Sequence, residues 1–347
     1  MRITFGEVDP ELRFRGRIIR LLMRSWTEAS YRKTNRMEER LQRGRMPKDL
    51  AAEVRWLDRP DGSRMRVVVF RALPSAPARE LASAAPAPAP APAPLPGPAV
   101  LWIHGGGYVG GIPEGMSSVT WIRRLVAASG AVVVAPEYRL AGEAPYPAAF
   151  DDCYLALRWL AANAAALGSS QDQLVVGGES AGGGLAAAVT LAARDRGDVA
   201  VAFSMPLYPM LDDRCETASM LESNAPAWDE RVNRIAWRVY LGDLAGTDAV
   251  PPYAAPARAT DLAGLPPTLT FVGTLDPFRD EVAAYVEALR AAGVQAAFET
   301  FERAYHGFDV IAPDAAVSRR AAGFVMDWFR NAVLLHRAPQ PRTGEDA

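Results

Sequence analysis

Short apolar segments alternate with alanine-rich segments through most of the chain. The apolar segments are rich in β-branched residues and end in Gly, Pro or a polar residue, as buried strands do. They are AVLWIHG (99–105), AVVVAPEY (131–138), QLVVGG (173–178), VAFSMPLYP (201–209) and PPTLTFVGTLD (266–276). The alanine-rich segments have helical periodicity and cover 115–129, 148–167, 180–194 and 279–292. This alternation predicts an α/β fold whose mostly parallel sheet is covered by helices on both faces.

The first 45 residues form a basic segment with amphipathic character. They contain twelve Lys/Arg and six Asp/Glu, so they carry a formal charge of +6 while the remainder carries -8. Apolar residues at roughly helical spacing describe either a membrane-surface helix or a helix packed over another part of the protein. Because acidic residues are interspersed, we favour packing. The apolar residues are Leu12, Ile18, Ile19, Leu22 and Trp26.

Two segments depart from the alternation. Residues 74–99 are rich in alternating Ala and Pro, which removes backbone donors and favours an extended conformation. Since RMRVVVFRA before this segment and AVLWIHGGG after it both resemble strands, it is predicted to be a surface loop between neighbouring strands. Residues 338–347 are predicted to be a disordered tail.

The composition and the net charge favour a globular protein over a nucleic-acid-binding or membrane-spanning one. The 347 residues are 50% hydrophobic and carry a net charge of -2, which is typical of a globular protein with no overall attraction to nucleic acid. The N-terminus lacks a signal-peptide pattern, and no apolar stretch reaches membrane-spanning length. We therefore expect a cytoplasmic protein without stable membrane association. Cys153 and Cys215 lie in apolar patterns and are expected to be buried free thiols, with no disulfide or zinc site.

One predicted strand end carries a serine between glycines. Gly178, Ser180 and Gly182 form the pattern G-x-S-x-G between a strand and a helix, which is the context of a nucleophile elbow. A helix N-cap serine in a glycine-rich turn is the alternative. A dinucleotide-binding fingerprint over 182–187 is rejected, because it starts inside the helix and lacks the acidic residue expected about 20 residues later.

A serine nucleophile needs a base and an acid that orients the base. His306 lies where a strand-like run breaks at a glycine, whereas His336 follows the last helix and is expected at the surface. Asp276 ends a predicted strand and is the favoured acid. Its competitors, Asp280 and Glu281, fall in the first turn of the next helix, where acids are expected simply for the helix dipole.

The segment HGGG (104–107) supplies backbone donors for an oxyanion. Its consecutive glycines allow N–H groups to face one point, and the N–H of the residue after the serine would join them. His104 is then expected to hydrogen-bond the loop and not to transfer protons. The oxyanion-hole candidates are Gly105, Gly106, Gly107 and Ala181.

These motifs resemble the hormone-sensitive-lipase-like group of α/β-hydrolase esterases, the bacterial carboxylesterases in particular. The resemblance covers about residues 55–335 and includes PEYRLAGEAPYPAAFDD (136–152), PLYPMLDD (206–213), DPFRDEVAAYVEALRAAGV (276–294) and YHGF (305–308). It implies that Ser180 is the nucleophile, His306 the base and Asp276 the acid, with Gly105 shaping the turn. Glu179 stands where many members have Asp, and Gly142 stands where the pattern has proline.

The resemblance also implies a helical cap over an α/β-hydrolase domain. Residues 1–50 would form its first part, and residues 212–245 its second part within the catalytic domain at 51–337. Tyr108, Tyr208 and Trp228 are candidate substrate-binding residues. The aromatic residues Trp228, Trp237 and Tyr240 either line a pocket or belong to the core. A homodimer through the sheet edge near the C-terminal strand is a further implication.

The predicted function is hydrolysis of short-chain carboxylic esters through an acyl-enzyme, without cofactor or metal. The partner would be a small-molecule ester. An amidase, a lactonase or an acyltransferase with the same triad remains an alternative, because pocket shape decides the leaving group. A non-catalytic small-molecule receptor on the same fold is the alternative from another class.

Overall fold

A computed structural model describes residues 1–24, 26–74 and 96–341. Its centre is an eight-stranded sheet whose strands follow the order β1-β2-β4-β3-β5-β6-β7-β8. The strands are β1 (Leu50–Asp58), β2 (Arg64–Ala72), β3 (Pro98–Ile103), β4 (Val132–Pro136), β5 (Ser170–Glu179), β6 (Phe203–Leu207), β7 (Thr268–Gly273) and β8 (Ala296–Phe301). The six strands β4, β3, β5, β6, β7 and β8 run parallel. Strand β2 is antiparallel to both of its neighbours, β1 and β4.

Helices cover the sheet. Within the described residues, α3, α8 and α9 pack against one another, and α4 packs against α5. The helices are α1 (Arg13–Met23), α2 (Glu28–Gln42), α3 (Met116–Ser129), α4 (Ala148–Asn163), α5 (Ala181–Arg196), α6 (Glu230–Leu241), α7 (Arg279–Ala291), α8 (Phe308–Ile311) and α9 (Ala316–Leu335). The predicted mostly parallel α/β sheet is confirmed.

The parallel strands that the apolar runs predict are the buried ones. Every residue of β3, β4, β6 and β7 is buried, which explains why these strands have no alternating pattern. Strand β1 is absent from the predicted strands, because it lies at the sheet edge and buries only Leu50 and Leu57. Its sequence therefore lacks the continuous apolar signal.

The predicted Pro/Ala-rich loop lies mostly outside the described residues. Its flanking strands, β2 and β3, are not neighbours as predicted, since β4 lies between them. Within the predicted tail, the N–H of Ala338 donates to the carbonyl of Asp172 at 2.8 Å. The side chain of Gln340 bonds both the N–H and the carbonyl of Ala200. The ordered chain thus continues past 337, and residues 342–347 lie outside the described range.

Helix α1 carries apolar residues on two faces. Leu12, just before its first turn, is fully buried, and Trp26 is partly buried against the core. Ile18 and Leu22, which the periodicity places on the same packed face, are exposed. The prediction of a single packed stripe is therefore wrong for these two residues. No helix of the described residues is both long and apolar enough to span a bilayer.

The sharp turn from β5 into α5 depends on two glycines. A Cβ atom on Gly182 would overlap the carbonyl oxygen of Ile103 and lie 2.5 Å from that of His104. A Cβ atom on Gly178 would lie 2.5 Å from the carbonyl oxygens of Gly182 and Ile103. Because these neighbours are backbone atoms of the sheet and the helix, they cannot move aside locally.

Replacing Gly182 by Ala is expected to lower the free energy of unfolding by about 3 kcal/mol or more, because overpacking against backbone forces a wider shift. Urea unfolding of the full chain measures this effect. The matched control is Gly323→Ala in α9, where a Cβ meets no atom within 4 Å. That control should be more stable than the wild type by roughly 0.5–1 kcal/mol. Equal stability of the two variants would contradict the close contact at Gly182.

Candidate active site

The serine of the G-x-S-x-G motif stands at the junction of β5 and α5. Its backbone has φ 59° and ψ -121°, a conformation that is strained for a residue with a side chain. The turn is held by backbone hydrogen bonds: the N–H of Ser180 donates to Leu207, and its carbonyl accepts from Gly184 and Met210. These contacts keep the hydroxyl at the carboxyl edge of the parallel strands.

Three remote parts of the chain meet at this serine. The Nε2 atom of His306 lies 2.8 Å from the Oγ of Ser180, and its Nδ1 lies 2.8 Å from the Oδ2 of Asp276. The other oxygen of Asp276 accepts the N–H of Phe278 at 2.9 Å. Ser180, His306 and Asp276 are all buried. The arrangement joins a hydroxyl, an imidazole and a carboxylate in one continuous hydrogen-bonded line.

Aromatic rings hold the imidazole in this orientation. Phe278 and Tyr208 contact the His306 ring edge-on, with ring centroids 4.9 Å and 5.2 Å away. Trp228 lies on a further side, at 6.3 Å. No sequence pattern singles out Phe278 as a neighbour of His306, because 28 positions separate the two residues.

Asp280 and Glu281, the alternative candidates for the orienting acid, form hydrogen bonds away from the imidazole. Asp280 accepts the N–H of Ser219 at 2.7 Å, and Glu281 accepts that of Leu211 at 2.8 Å. Both carboxylates therefore hold the segment that follows β6, and the imidazole is bonded by Asp276 instead.

The glycine-rich loop after β3 lies beside the serine. Gly106 and Gly107 have φ values of 120° and 63°, which favour glycine. Their N–H groups have no acceptor among the described residues. Ala181 is the first residue of α5, so its N–H has no intrahelical partner. The N–H of Gly105, in contrast, donates to the carboxylate of Glu179 at 3.2 Å, so of the four candidates it is the one whose N–H is already bonded within the protein.

Two buried groups brace this loop from behind. The Nδ1 of His104 lies 2.9 Å from the Gly105 carbonyl, and its ring stacks on Tyr138 at 4.2 Å. Burial lowers the pKa of His104 to about 4, so the ring is neutral at pH 7.

His336 does not belong to the site. Its ring lies near Phe203, the first residue of β6, at the end of that strand remote from the serine.

Glu179 connects the serine strand to two other elements. One oxygen of its carboxylate accepts hydrogen bonds from Gly105 N–H and from the hydroxyls of Ser117 and Ser118 in α3. The other oxygen is buried without a partner in the described residues. Burial is the main cause that raises the pKa of Glu179 to about 7, since a buried carboxyl group resists ionisation.

The candidate substrate-binding residues occupy different positions. The Trp228 ring packs directly on the glycine-rich loop after β3, since a Cβ on Gly107 would overlap its Cη2 atom. The Tyr208 ring contacts the His306 ring edge-on, and its hydroxyl donates a hydrogen bond to the Asp309 carboxylate at 3.3 Å. Tyr108 is fully buried, and its hydroxyl donates to the Met210 carbonyl at 3.0 Å. Trp228 is therefore the one of the three that borders the loop and the imidazole together.

The N-terminal segment and residues 212–245 meet over this region. Trp26 contacts Trp228 edge-on at 6.2 Å, and the Arg231 guanidinium in α6 donates to the Met23 carbonyl at 2.9 Å. Trp237 and Tyr240 of α6 are buried in the core cluster, and Tyr240 stacks on Tyr108. The two segments thus lie next to the candidate site.

Comparison with known proteins gives the same fold and class. The model of a family described as having an alpha/beta hydrolase fold matches residues 100–310. Carboxylesterase NlhH of Mycobacterium tuberculosis is 39% identical over 228 residues, which span 63% of this chain and 70% of NlhH. Esterase LipI of the same species is 36% identical over 212 residues, which span 61% of this chain and 65% of LipI.

A solved structure of a bacterial heroin esterase superposes with a TM-score of 0.79 and 33% identity, covering 95% of this chain and 99% of that chain. The fold neighbours and the sequence relatives thus agree with the motifs quoted above. The chain belongs to the α/β-hydrolase family, in its hormone-sensitive-lipase-like group of carboxylic ester hydrolases.

Proposed function

We propose that this esterase hydrolyses short-chain acyl esters, with Ser180 as the nucleophile, His306 as the general base and Asp276 as the orienting acid. The observation that carries the proposal is the unbroken line of contacts from hydroxyl to imidazole to carboxylate, each 2.8 Å long. A receptor on the same fold would not need this line. The intact contact between Ser180 and His306 therefore favours an enzyme.

The mechanism follows from the atoms involved. The Nδ1–H group of His306 donates a hydrogen bond to the Asp276 carboxylate and keeps its proton. The Nε2 lone pair is then free to accept the Ser180 proton as Oγ attacks the ester carbonyl. The oxyanion that develops would accept hydrogen bonds from the backbone N–H groups of Gly106, Gly107 and Ala181. The imidazolium then gives its proton to the leaving alcohol, and an acyl-serine forms. Water, deprotonated by the same imidazole, then attacks the acyl carbonyl. The bond between the acyl carbon and Ser180 Oγ breaks, the imidazolium returns its proton to Oγ, and the acid is released.

The preference for short acyl groups rests on the aromatic wall beside the oxyanion loop. Trp228 packs on Gly107 and is fixed by a 2.9 Å hydrogen bond from its indole N–H to the Asn233 side chain. Trp26 contacts its other side. A ring held from two sides cannot swing away easily, so it limits the length of an acyl chain that extends past the loop.

Glu179 is proposed as a positioning residue for the same reaction. It links the strand that carries Ser180 to Gly105 and to the start of α3 through one carboxylate oxygen. Its pKa is raised from 4.5 to about 7 by burial. The folded state therefore holds the proton more tightly than the unfolded chain does. The resulting stability is fully present below about pH 4.5 and is lost as the pH rises to about 7.

Ser180→Ala is expected to lower kcat for p-nitrophenyl butyrate by about 1,000-fold or more, because the attacking oxygen is removed while the fold is kept. Fluorophosphonate labelling of the wild type should modify one serine, and the variant should not react. Ser129→Ala, which removes a hydroxyl bonded to a helix carbonyl in α3, is the control and should keep wild-type kcat. If S180A kept a tenth of the wild-type kcat, the assignment of Ser180 as the nucleophile would be wrong.

Trp228→Leu is expected to raise the ratio of kcat/KM for p-nitrophenyl octanoate to that for the butyrate by about tenfold, because it opens space along the acyl chain. Steady-state kinetics with a series of acyl lengths measures the ratio. Trp56→Leu makes the same exchange on exposed edge strand β1 and should leave the ratio unchanged. An unaltered ratio in both variants would remove Trp228 from the acyl site.

Glu179→Gln keeps an acceptor oxygen but cannot ionise. Its free energy of unfolding, relative to the wild type, should rise by about 2–3 kcal/mol between pH 5 and pH 8, since only the wild type then buries a charge. Urea unfolding at both pH values gives the difference. Exposed Glu143→Gln is the control, with no such change expected. A difference for E179Q that stays constant with pH would argue against the raised pKa.

A further inference from the structure

Helix α1 presents an apolar surface to solvent. Phe14, Ile18 and Leu21 are 72%, 46% and 66% exposed, which is unusual for large apolar side chains grouped on one element. Their spacing of four and three residues places them on one face of the helix. We call these three residues the α1 stripe.

The opposite face of α1 is held against the body of the protein. A Cβ on Gly16 would lie 2.9 Å from the Cε1 of Tyr305, and the Tyr305 hydroxyl donates to the Leu12 carbonyl at 3.3 Å. Leu12 itself is fully buried. Because this face is fixed, the helix cannot roll to bury its stripe, and the exposure of the stripe follows from the fold.

A row of arginines runs along one side of the α1 stripe, about 100° around the helix axis from it. The row consists of Arg13, Arg17, Arg20 and Arg24. Arg13 donates to two backbone carbonyls of the preceding turn. The other three form no ion pair with the described residues, and Arg17 and Arg20 lie over the Phe5 ring. Their charges are therefore available to an external anion.

Little negative charge offsets these arginines along the helix. The sequence has no Asp or Glu between residues 12 and 27, and residues 1–45 carry +6 against -8 for the remainder. Asp314 pairs with Arg15, on the other side of the stripe. A basic segment of this kind orients a protein toward a negatively charged surface through its own field. An apolar stripe flanked by arginines fits a lipid surface, where acyl chains accept the stripe and phosphates accept the guanidinium groups.

We propose that α1 docks this protein reversibly on the surface of an anionic phospholipid bilayer. The α1 stripe enters the boundary between headgroups and acyl chains, and Arg17, Arg20 and Arg24 contact lipid phosphates. The contact of Gly16 with Tyr305, which directly precedes the proposed base, sets the docked helix close to the candidate active site. Docking would therefore bring the site to esters that partition into the bilayer. The docking itself does not depend on the proposed catalytic roles.

Sedimentation of the 347-residue chain with large unilamellar vesicles tests the proposal. Vesicles of phosphatidylcholine with about 30% phosphatidylglycerol should bind the wild type, and pure phosphatidylcholine should bind it at least fivefold less. Binding to the anionic vesicles should fall when NaCl is raised to about 0.5 M, because salt screens the arginines. Equal binding to both vesicle types, or no binding to either, would overturn the proposal.

Variants separate the two parts of the surface. Phe14→Gln/Leu21→Gln should lower vesicle binding at least tenfold, and Arg17→Gln/Arg20→Gln/Arg24→Gln should remove its dependence on anionic lipid. Leu334→Gln/Leu335→Gln, on side chains that are 76% and 75% exposed at the end of α9, is the matched control and should bind like the wild type.

Hydrolysis of soluble p-nitrophenyl butyrate reports the fold and the proposed function separately from docking. Each variant should keep wild-type activity on this substrate. A loss of binding in the Leu334/Leu335 control equal to that of the stripe variant would overturn the assignment to α1. So would a wild-type dimer, seen by analytical ultracentrifugation, that the stripe variant abolishes while neither protein binds vesicles.

Discussion

The close approach of the α5 backbone to the end of β3 is the constraint on which the site depends. Gly182 lies so near the carbonyls of Ile103 and His104 that no side chain fits between them. This contact sets Ser180 beside the glycine loop that follows β3. The distance between the Ser180 hydroxyl and the N–H groups of this loop is thus set by backbone packing, which is stiffer than any side-chain contact.

Buried polar groups surround this contact and keep its geometry. Asp276 orients the imidazole, Glu179 holds Gly105, and Glu281 accepts the Leu211 N–H behind the site. Burial raises the pKa of Glu179 to about 7 and that of Asp309 to about 6, and it raises the pKa of Glu281 well above its ordinary value. The protein tolerates these carboxyl groups near the site at a cost in stability, which is the usual pattern around reactive centres.

The N-terminal segment performs two physical tasks with one helix. The face of α1 that carries Gly16, together with Leu12 just before the helix, packs next to Tyr305, and Trp26 beyond the helix contacts Trp228. Its other face leaves the α1 stripe in solvent beside arginines that have no ion pair among the described residues. The apolar periodicity of this segment fits both a packed helix and a membrane-surface helix, and it does not show which apolar side chains are buried. The structure leaves Ile18 and Leu22 exposed.

Local pattern and the order of motifs are enough to predict the parallel sheet, the elbow around Ser180, and His306 and Asp276 as candidates. Three other features are visible only in the folded chain: β4 lies between β2 and β3, the Glu179 carboxylate accepts the Gly105 N–H, and Phe278 and Trp228 flank the imidazole. These features join residues far apart in the chain. Local sequence carries no record of such contacts, since they arise when separate elements compete for the same buried space and the same hydrogen-bond partners.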